Sequence, residues 1–182
     1  MSLLESEKIR LRALEPEDVE TLYLWENDTA VWGVSHTLLP FSRHILRQFI
    51  EEQSKDIYQT GQTRFVMEAR EDNRAIGVID LFDFDPYHLR AGIGILVYEK
   101  ADRRKGYAVE ALKLLVRYGF EILRLHQLYG NIPASNEASL RLFEGCEFVR
   151  CGQKRDWLRL ESGWEDEYTY QLVRDSGSAK ND

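Results

Sequence analysis

The sequence predicts an α/β domain of seven strands and about four helices. Three observations carry this. Residues 8–14 alternate apolar and basic side chains, and residues 64–98 hold three strand-like segments parted by turn residues. Residues 106–122 then carry apolar side chains at spacings of three and four.

In the first segment Ile9, Leu11 and Ala13 oppose Arg10 and Arg12, as in a short strand with one dry face. Pro16, Glu17 and Asp18 make a helix start, since proline suits the first turn and acidic side chains favour a helix N-terminus. Val19, Leu22 and Tyr23 continue at helical spacing. A second helix opens on Ser42 as N-cap and runs through Leu46, Phe49 and Ile50. Strands at 64–69, 75–84 and 91–98 follow, separated by Asp72-Asn73 and Asp85-Pro86, and read as an antiparallel meander. The long helix sets Ala108, Ala111, Leu112, Leu115, Gly119 and Ile122 at spacings of three and four. A strand at 127–132, a short helix at 136–144 and strands at 148–155 and 167–173 complete the order. Residues 1–174 read as one domain, and 175–182, small and polar, as a loose tail.

Composition excludes several classes. At 182 residues, 43% hydrophobic and 12% aromatic, the chain can bury a core. Its 24 basic and 31 acidic residues give a net charge of -7, which argues against nucleic acid as partner and suits a cationic substrate. No apolar run approaches the roughly 20 residues of a membrane span, and the first residues lack the apolar stretch of a secretory signal. Two cysteines, Cys146 and Cys151, and four scattered histidines form neither a disulfide framework nor a metal site. A reducing cytoplasm is the expected compartment, and His126 and Cys146 read as structural, since nothing completes a nucleophilic dyad.

The most informative stretch is Arg103-Arg104-Lys105-Gly106-Tyr107-Ala108, between an apolar strand and the long helix. A tight basic loop at a helix N-terminus aims backbone N–H groups at one spot, and the helix dipole favours an anion there. Gly106 permits close backbone approach. A solvated basic turn would read the same way from these six residues alone.

The loop resembles the R/Q-x-x-G-x-G/A signature of the GNAT superfamily of N-acetyltransferases, with Arg103, Gly106 and Ala108 at the signature positions. Asn136-Glu137-Ala138-Ser139-Leu140-Arg141-Leu142-Phe143-Glu144 is similar to that superfamily's second motif, and Lys8–Ala13 with its acidic turn to its opening strand and helix. Within the superfamily the resemblance is to bacterial spermidine N-acetyltransferases and ribosomal-protein N-terminal acetyltransferases, through Ile76–Leu81, Gly119-Phe120 and a hairpin of the form Gly152 … Gly163 … Asp166 … Tyr170. It spans residues 8–173.

The resemblance implies a mixed, mostly antiparallel seven-stranded sheet and acetyl transfer from acetyl-CoA, as cosubstrate, to a primary amine. It places the cofactor pyrophosphate on the backbone of 103–108 and pantetheine along Ile95, Leu96 and Val97. Asn136 lies near the pantetheine, with Ser139 and Phe143 in the same motif. It also implies a small-molecule or peptide amine, such as a polyamine or a protein N-terminus, and allows a homodimer. A catalytically weak acyl-CoA-binding or sensor module of the same fold is the competing reading, and another acyl-CoA a third.

The sequence departs from the family at two positions. Phe143 stands where the family often has a tyrosine general acid, and phenylalanine donates no proton, so Tyr98, Tyr107 or water would substitute or the thiolate would leave unassisted. Glu147 replaces the usual glycine of a C-G-F turn.

An amine must shed a proton before it attacks, and a carboxylate acting through water can take it. Asp80, on a central strand, is the first candidate as base or amine anchor; its alternative is a structural pair with a neighbouring arginine. Alternation sets Asp80 with Val78 and Phe82, and Asp83 and Asp85 opposite, unless a bulge intervenes. Glu68 is the second candidate base, and Asp83 joins Asp80 among substrate residues. Trp25, Trp32 and His36 fall where family members build a substrate wall; Trp32 reads as an acceptor contact or equally as an interior aromatic. Glu51-Glu52 and Glu165-Asp166-Glu167 read most simply as solvated faces, with recruitment of a polycation as the sharper alternative.

Overall fold

The computed structural model describes residues 3–35 and 37–174; the expected tail and His36 lie outside them. The strands are β1 (Ile9–Ala13), β2 (Thr63–Ala69), β3 (Ala75–Asp85), β4 (Arg90–Val97), β5 (Gln127–Pro133), β6 (Val149–Leu160) and β7 (Gly163–Val173). They form one sheet in the order β1-β2-β3-β4-β5-β7-β6. Every neighbouring pair is antiparallel except β4–β5. The helices are α1 (Val19–Glu26), α2 (Thr29–Ser35), α3 (Arg43–Glu52), α4 (Ile57–Thr60), α5 (Tyr107–Glu121) and α6 (Glu137–Gly145), with 3-10 turns at Pro16–Asp18 and Lys100–Asp102.

Alternation along the strands builds two cores. Met67, Ile79 and Leu81 join Leu112 and Leu115 of α5 and Phe143 of α6 on one face. Their neighbours Val66 and Val78 point the other way, to Leu22 and Trp25 of α1 and Leu46 and Ile50 of α3. Full burial of a leucine such as Leu112 or Leu115 contributes about 1.5–3 kcal/mol. Ser42 is the N-cap of α3 as expected, its hydroxyl accepting from the Ile45 N–H at 3.2 Å.

The differences from expectation are local. α2 and α4, seven and four residues long, are too short to show a helical period. β6 and β7 run further than expected because their outer ends pair only with each other; with no dry face to cover, those ends mix charged residues with exposed Trp157, Leu160 and Trp164 and show no clean alternation. A bulge does intervene in β3: the register slips between Phe82 and Asp85, and Asp83 takes φ 48°.

The parallel pair β4–β5 is short. It holds only at Arg90–Gln127, Ala91–Leu128 and Gly92–Tyr129, after which the strands diverge.

Candidate active site

That divergence opens a cleft of about 490 Å³ in the middle of the sheet. Gly94, Ile95 and Leu96 line one side, and Asn131, Ile132 and Pro133 the other, with Asn136, Ser139 and Phe143 of the α6 region at its floor. Every second backbone N–H and C=O of the β4 segment faces the vacated edge, as on any unpaired strand. Asn136 is the N-cap of α6: its Oδ1 accepts from the Ser139 N–H at 3.2 Å, leaving the amide NH2 without a partner among the described residues.

At the end of β4 the chain makes the loop that precedes α5. Arg104 has φ 65° and Gly106, the N-cap, φ 88°, a left-handed conformation that glycine adopts freely. No side chain caps the helix, so the first-turn N–H groups keep no intrahelical partner. A Cβ at Gly106 would meet only Lys8 Nζ, at 3.2 Å; the approach to the backbone is otherwise open, as an anion site requires. Side-chain contacts brace the loop. Arg74 donates twice to buried Asp102, at 2.7 and 3.0 Å, Lys105 Nζ to the same carboxylate at 3.1 Å, and Lys8 Nζ to the Lys105 carbonyl at 2.9 Å. The Arg74 hydrogen bonds pull the Asp102 carboxyl down to about 2, against the opposing effect of burial, with Lys105 adding to the fall. Arg103 donates to the Val97 and Tyr98 carbonyls. Arg104 is exposed and makes no ion pair among the described residues.

One wall of the cleft is acidic. Arg64 of β2 pairs across the sheet with Asp80 of β3, donating through Nε and Nη2 at 2.7 and 2.8 Å, and its Nη1 donates to Glu26 of α1 at 2.6 Å. Burial opposes the guanidinium charge, but Asp80 and then Glu26 outweigh it and raise the Arg64 pKa above its ordinary value. Two carboxylates face one guanidinium, so the wall keeps one excess negative charge.

The opposite wall comes from the β6–β7 hairpin. Glu167, 4% exposed, accepts from Lys154 Nζ at 2.7 Å. A bulge between Lys154 and Leu158 sets residues 155–157 against Asp166 alone and carries Trp157 to the cleft rim. Asp166 pins that bulge, accepting from the Asp156 N–H at 2.9 Å and Gln153 Nε2 at 2.6 Å, which hold its carboxyl below the usual range.

Of the residues expected at the site, the structure brings Asp80, Ile95, Leu96, Asn136, Ser139 and Phe143 together around the cleft. Val97 follows on the same strand, and 103–108 form the loop beyond it. Asp80 also has the arginine partner that its structural reading required. Others take different positions. Glu68 does not line the cleft: Arg10 and Arg12 both donate to it, and Arg12 joins it to buried Asp18. Asp83 sits on the β3 bulge and accepts from the Tyr129 hydroxyl at 3.4 Å. Trp32 is half-buried, and its indole donates to the Glu26 carbonyl. The two substitute phenols are also occupied elsewhere, Tyr98 with Asp28 and buried Tyr107 with Glu71; burial and then those carboxylates raise both pKa values. Phe143 is 3% exposed, and among the described residues no tyrosine lines the cleft. In the Glu165-Asp166-Glu167 run only Glu167 is buried, and each side chain accepts a hydrogen bond within the chain. Glu26, Arg64, Lys154 and Trp157 are cleft residues without an expected role, and Glu167 joins them from a run read most simply as a solvated face. Only the Arg64–Asp80 register had a sequence signal, the meander itself. Among the described residues no group of three or more His, Cys, Asp or Glu is placed to hold a metal.

Residues 8–149 match the family model described as "Acetyltransferase (GNAT) domain". The chain is 27% identical over 169 residues to the SPbeta prophage-derived uncharacterized N-acetyltransferase YokL of Bacillus subtilis, covering 93% of this chain and 92% of that one. It is 27% identical over 165 residues to the spermidine N(1)-acetyltransferase of Escherichia coli K12, covering 84% of each. Among solved structures, the spermidine N-acetyltransferase of Vibrio cholerae in complex with CoA and spermine superposes with a TM-score of 0.82, at 23% identity, over 92% of this chain and 96% of that chain.

Proposed function

The chain belongs to the GNAT family of acetyltransferases, and on that premise we propose that it moves an acetyl group from acetyl-CoA directly to the primary amine of a cationic acceptor, with both bound at once. The observation that carries this reading is the parting of β4 from β5 beyond Gly92–Tyr129, with the Gly106 loop at one end and the Glu26–Arg64–Asp80 wall alongside. Acetyl-CoA supplies an acyl group already activated as a thioester. The backbone of 103–108 would hold its pyrophosphate, and the free edge of Ile95–Val97 its pantetheine. The Asn136 amide, Ser139 and Phe143 would line the thioester end. An N–H on the free β4 edge is placed to donate to a developing oxyanion. Holding both reactants in line does much of the work.

The excess charge of the acidic wall favours an acceptor that arrives as an ammonium ion. With both Asp80 oxygens committed to Arg64, Asp80 serves as anchor, and the amine loses its proton to cleft water. With no phenol at the cleft, the CoA thiolate leaves unassisted or takes a proton from water. A polyamine fits this wall, and the spermidine acetyltransferases among the relatives support that choice over a protein N-terminus. Work in the cytoplasm, as a homodimer, completes the proposal; no helix among the described residues is long and apolar enough to cross a membrane.

A thiol-release assay with acetyl-CoA and a panel of amines tests the reading, with mass spectrometry of the product. An N-acetylated amine is expected. Tight acetyl-CoA binding with no release on any amine would overturn it in favour of a sensor.

A further inference from the structure

Lys154 is held in an unusual way for a surface lysine. Its Nζ lies 2.7 Å from Glu167 Oε1 and 3.5 Å from Asn131 Oδ1, and 5.0 Å from the centre of the Trp157 ring. The Thr169 hydroxyl donates to Asn131 Oδ1 at 3.0 Å, which keeps that oxygen turned toward the lysine. A carboxylate, an amide oxygen and an aromatic face are what an alkylammonium ion requires once partly withdrawn from water. All four residues line the cleft. The Glu167 side chain is only 6% exposed, whereas that of Lys154 is 36% exposed, so the acid is fixed and the cation is the part that can leave.

We propose that Glu167, Asn131 and Trp157 form an ammonium-binding station in the acceptor cleft, held by Lys154 in the free protein and yielded to a ligand amine. This rests on the acceptor reading above and extends it. The cleft then has two cation stations, one on each wall: Glu26–Arg64–Asp80, with its excess charge always available, and Glu167, available only when Lys154 withdraws. An acceptor with two ammonium groups engages both walls, while a monoamine engages the first and leaves Lys154 in place. Lys154 therefore sets the preference between monoamines and diamines.

The test is calorimetric titration of the protein, without acetyl-CoA, with butane-1,4-diamine and with butylamine. An internal competitor weakens apparent affinity by the fraction of time that it leaves the station free. Lys154→Ala is expected to bind the diamine about ten-fold more tightly than the unsubstituted chain and butylamine no more tightly. Glu167→Gln added to Lys154→Ala is expected to abolish the gain. Unchanged diamine affinity in Lys154→Ala, or a gain that survives Glu167→Gln, would overturn the proposal.

Because Lys154→Ala leaves a buried carboxylate unpaired, a second measurement uses the unsubstituted chain. Its lysines are 13C-methylated and the Lys154 signal is followed by NMR while the diamine is added. Movement of that signal to the position of a solvated lysine supports displacement, and a fixed signal at saturating diamine refutes it. Diamine binding of this kind without thiol release would keep the station and remove the acetyltransferase reading. Thiol release with a fixed Lys154 signal would do the reverse.

Discussion

Lys8 Nζ donates to the carbonyl of Lys105 at 2.9 Å, tying the start of the first strand to the loop 97 residues later in the chain. The ammonium lines a second depression of about 610 Å³ together with Arg70, Glu71, Lys105 and Tyr107. It fixes the direction of a carbonyl whose neighbouring N–H groups face the proposed pyrophosphate site. Lys8→Met keeps the length of the side chain and removes the bond. The expected result is a rise of about five-fold in KM for acetyl-CoA, the equivalent of one hydrogen bond, with kcat unchanged. Steady-state kinetics check it, and Lys8→Arg should restore most of the loss.

Asp80→Asn tests the anchor. The substitution removes one of the two charges that offset half-buried Arg64, so the melting temperature should fall, by the equivalent of about 1–3 kcal/mol. KM for the amine should rise about ten-fold while acetyl-CoA affinity holds. A lowered melting temperature with an unchanged amine KM would make Asp80 purely structural.

Phe143→Tyr tests thiolate departure. Phe143 packs against Gly130, where any Cβ would collide with the ring, and edge-on to Phe148 at 4.9 Å. Its ring also reaches the cleft, so a hydroxyl there can meet the leaving sulfur. Turnover should increase, most visibly at low pH. A pH–rate profile identical to that of the unsubstituted chain would mean that departure does not limit the rate.

Asp102 gives the loop an acid limit. Its folded-state pKa, about 2, lies below the value of about 3.9 for a free aspartate. Its contribution is therefore complete above about pH 4 and is lost as pH falls toward 2. Denaturant melts between those values should show a stability loss that Asp102→Asn largely removes, at the cost of lower stability near neutrality.

Glu147 occupies the turn after α6 with φ 69°, where the family's glycine would be unstrained. Glu147→Gly relieves that conformation but frees the unfolded chain. The net expected gain is about 0.5–1 kcal/mol, read as a melting temperature about 2 °C higher.

The elements with a strong period were legible in the sequence: β1, the β2–β4 meander, α5 and the α6 motif all fall within a residue or two of expectation. The loop was legible because glycine, basic residues and a helix start are adjacent in the chain. The acidic wall was only half legible. Asp80 interrupts an apolar face and so draws notice, but Glu26, the second carboxylate on Arg64, comes from a helix 54 positions before Asp80, and no local pattern joins them. Glu68 drew notice for the same reason as Asp80 and proved to be tied to β1, because an acid on an apolar strand does not reveal which neighbour neutralises it. The hairpin wall was hidden most deeply. Its function depends on a bulge that brings Trp157 to the cleft rim, and a bulge in a hairpin without a clean alternation leaves no break in periodicity to detect.

The three-rung seam between β4 and β5 has a mechanical meaning. The sheet behaves as two plates, β1–β4 and β5–β7–β6, riveted at Arg90–Gly92 and held otherwise by α5 and α6 beneath them. A pantetheine chain lying in the gap would take the place of the absent rungs. Cosubstrate concentration then becomes a structural variable: the plates stiffen as the gap fills, by RT ln(1 + [L]/Kd) of added stability. Amide exchange along Ile93–Val97 would register that tightening before any acetyl group moves.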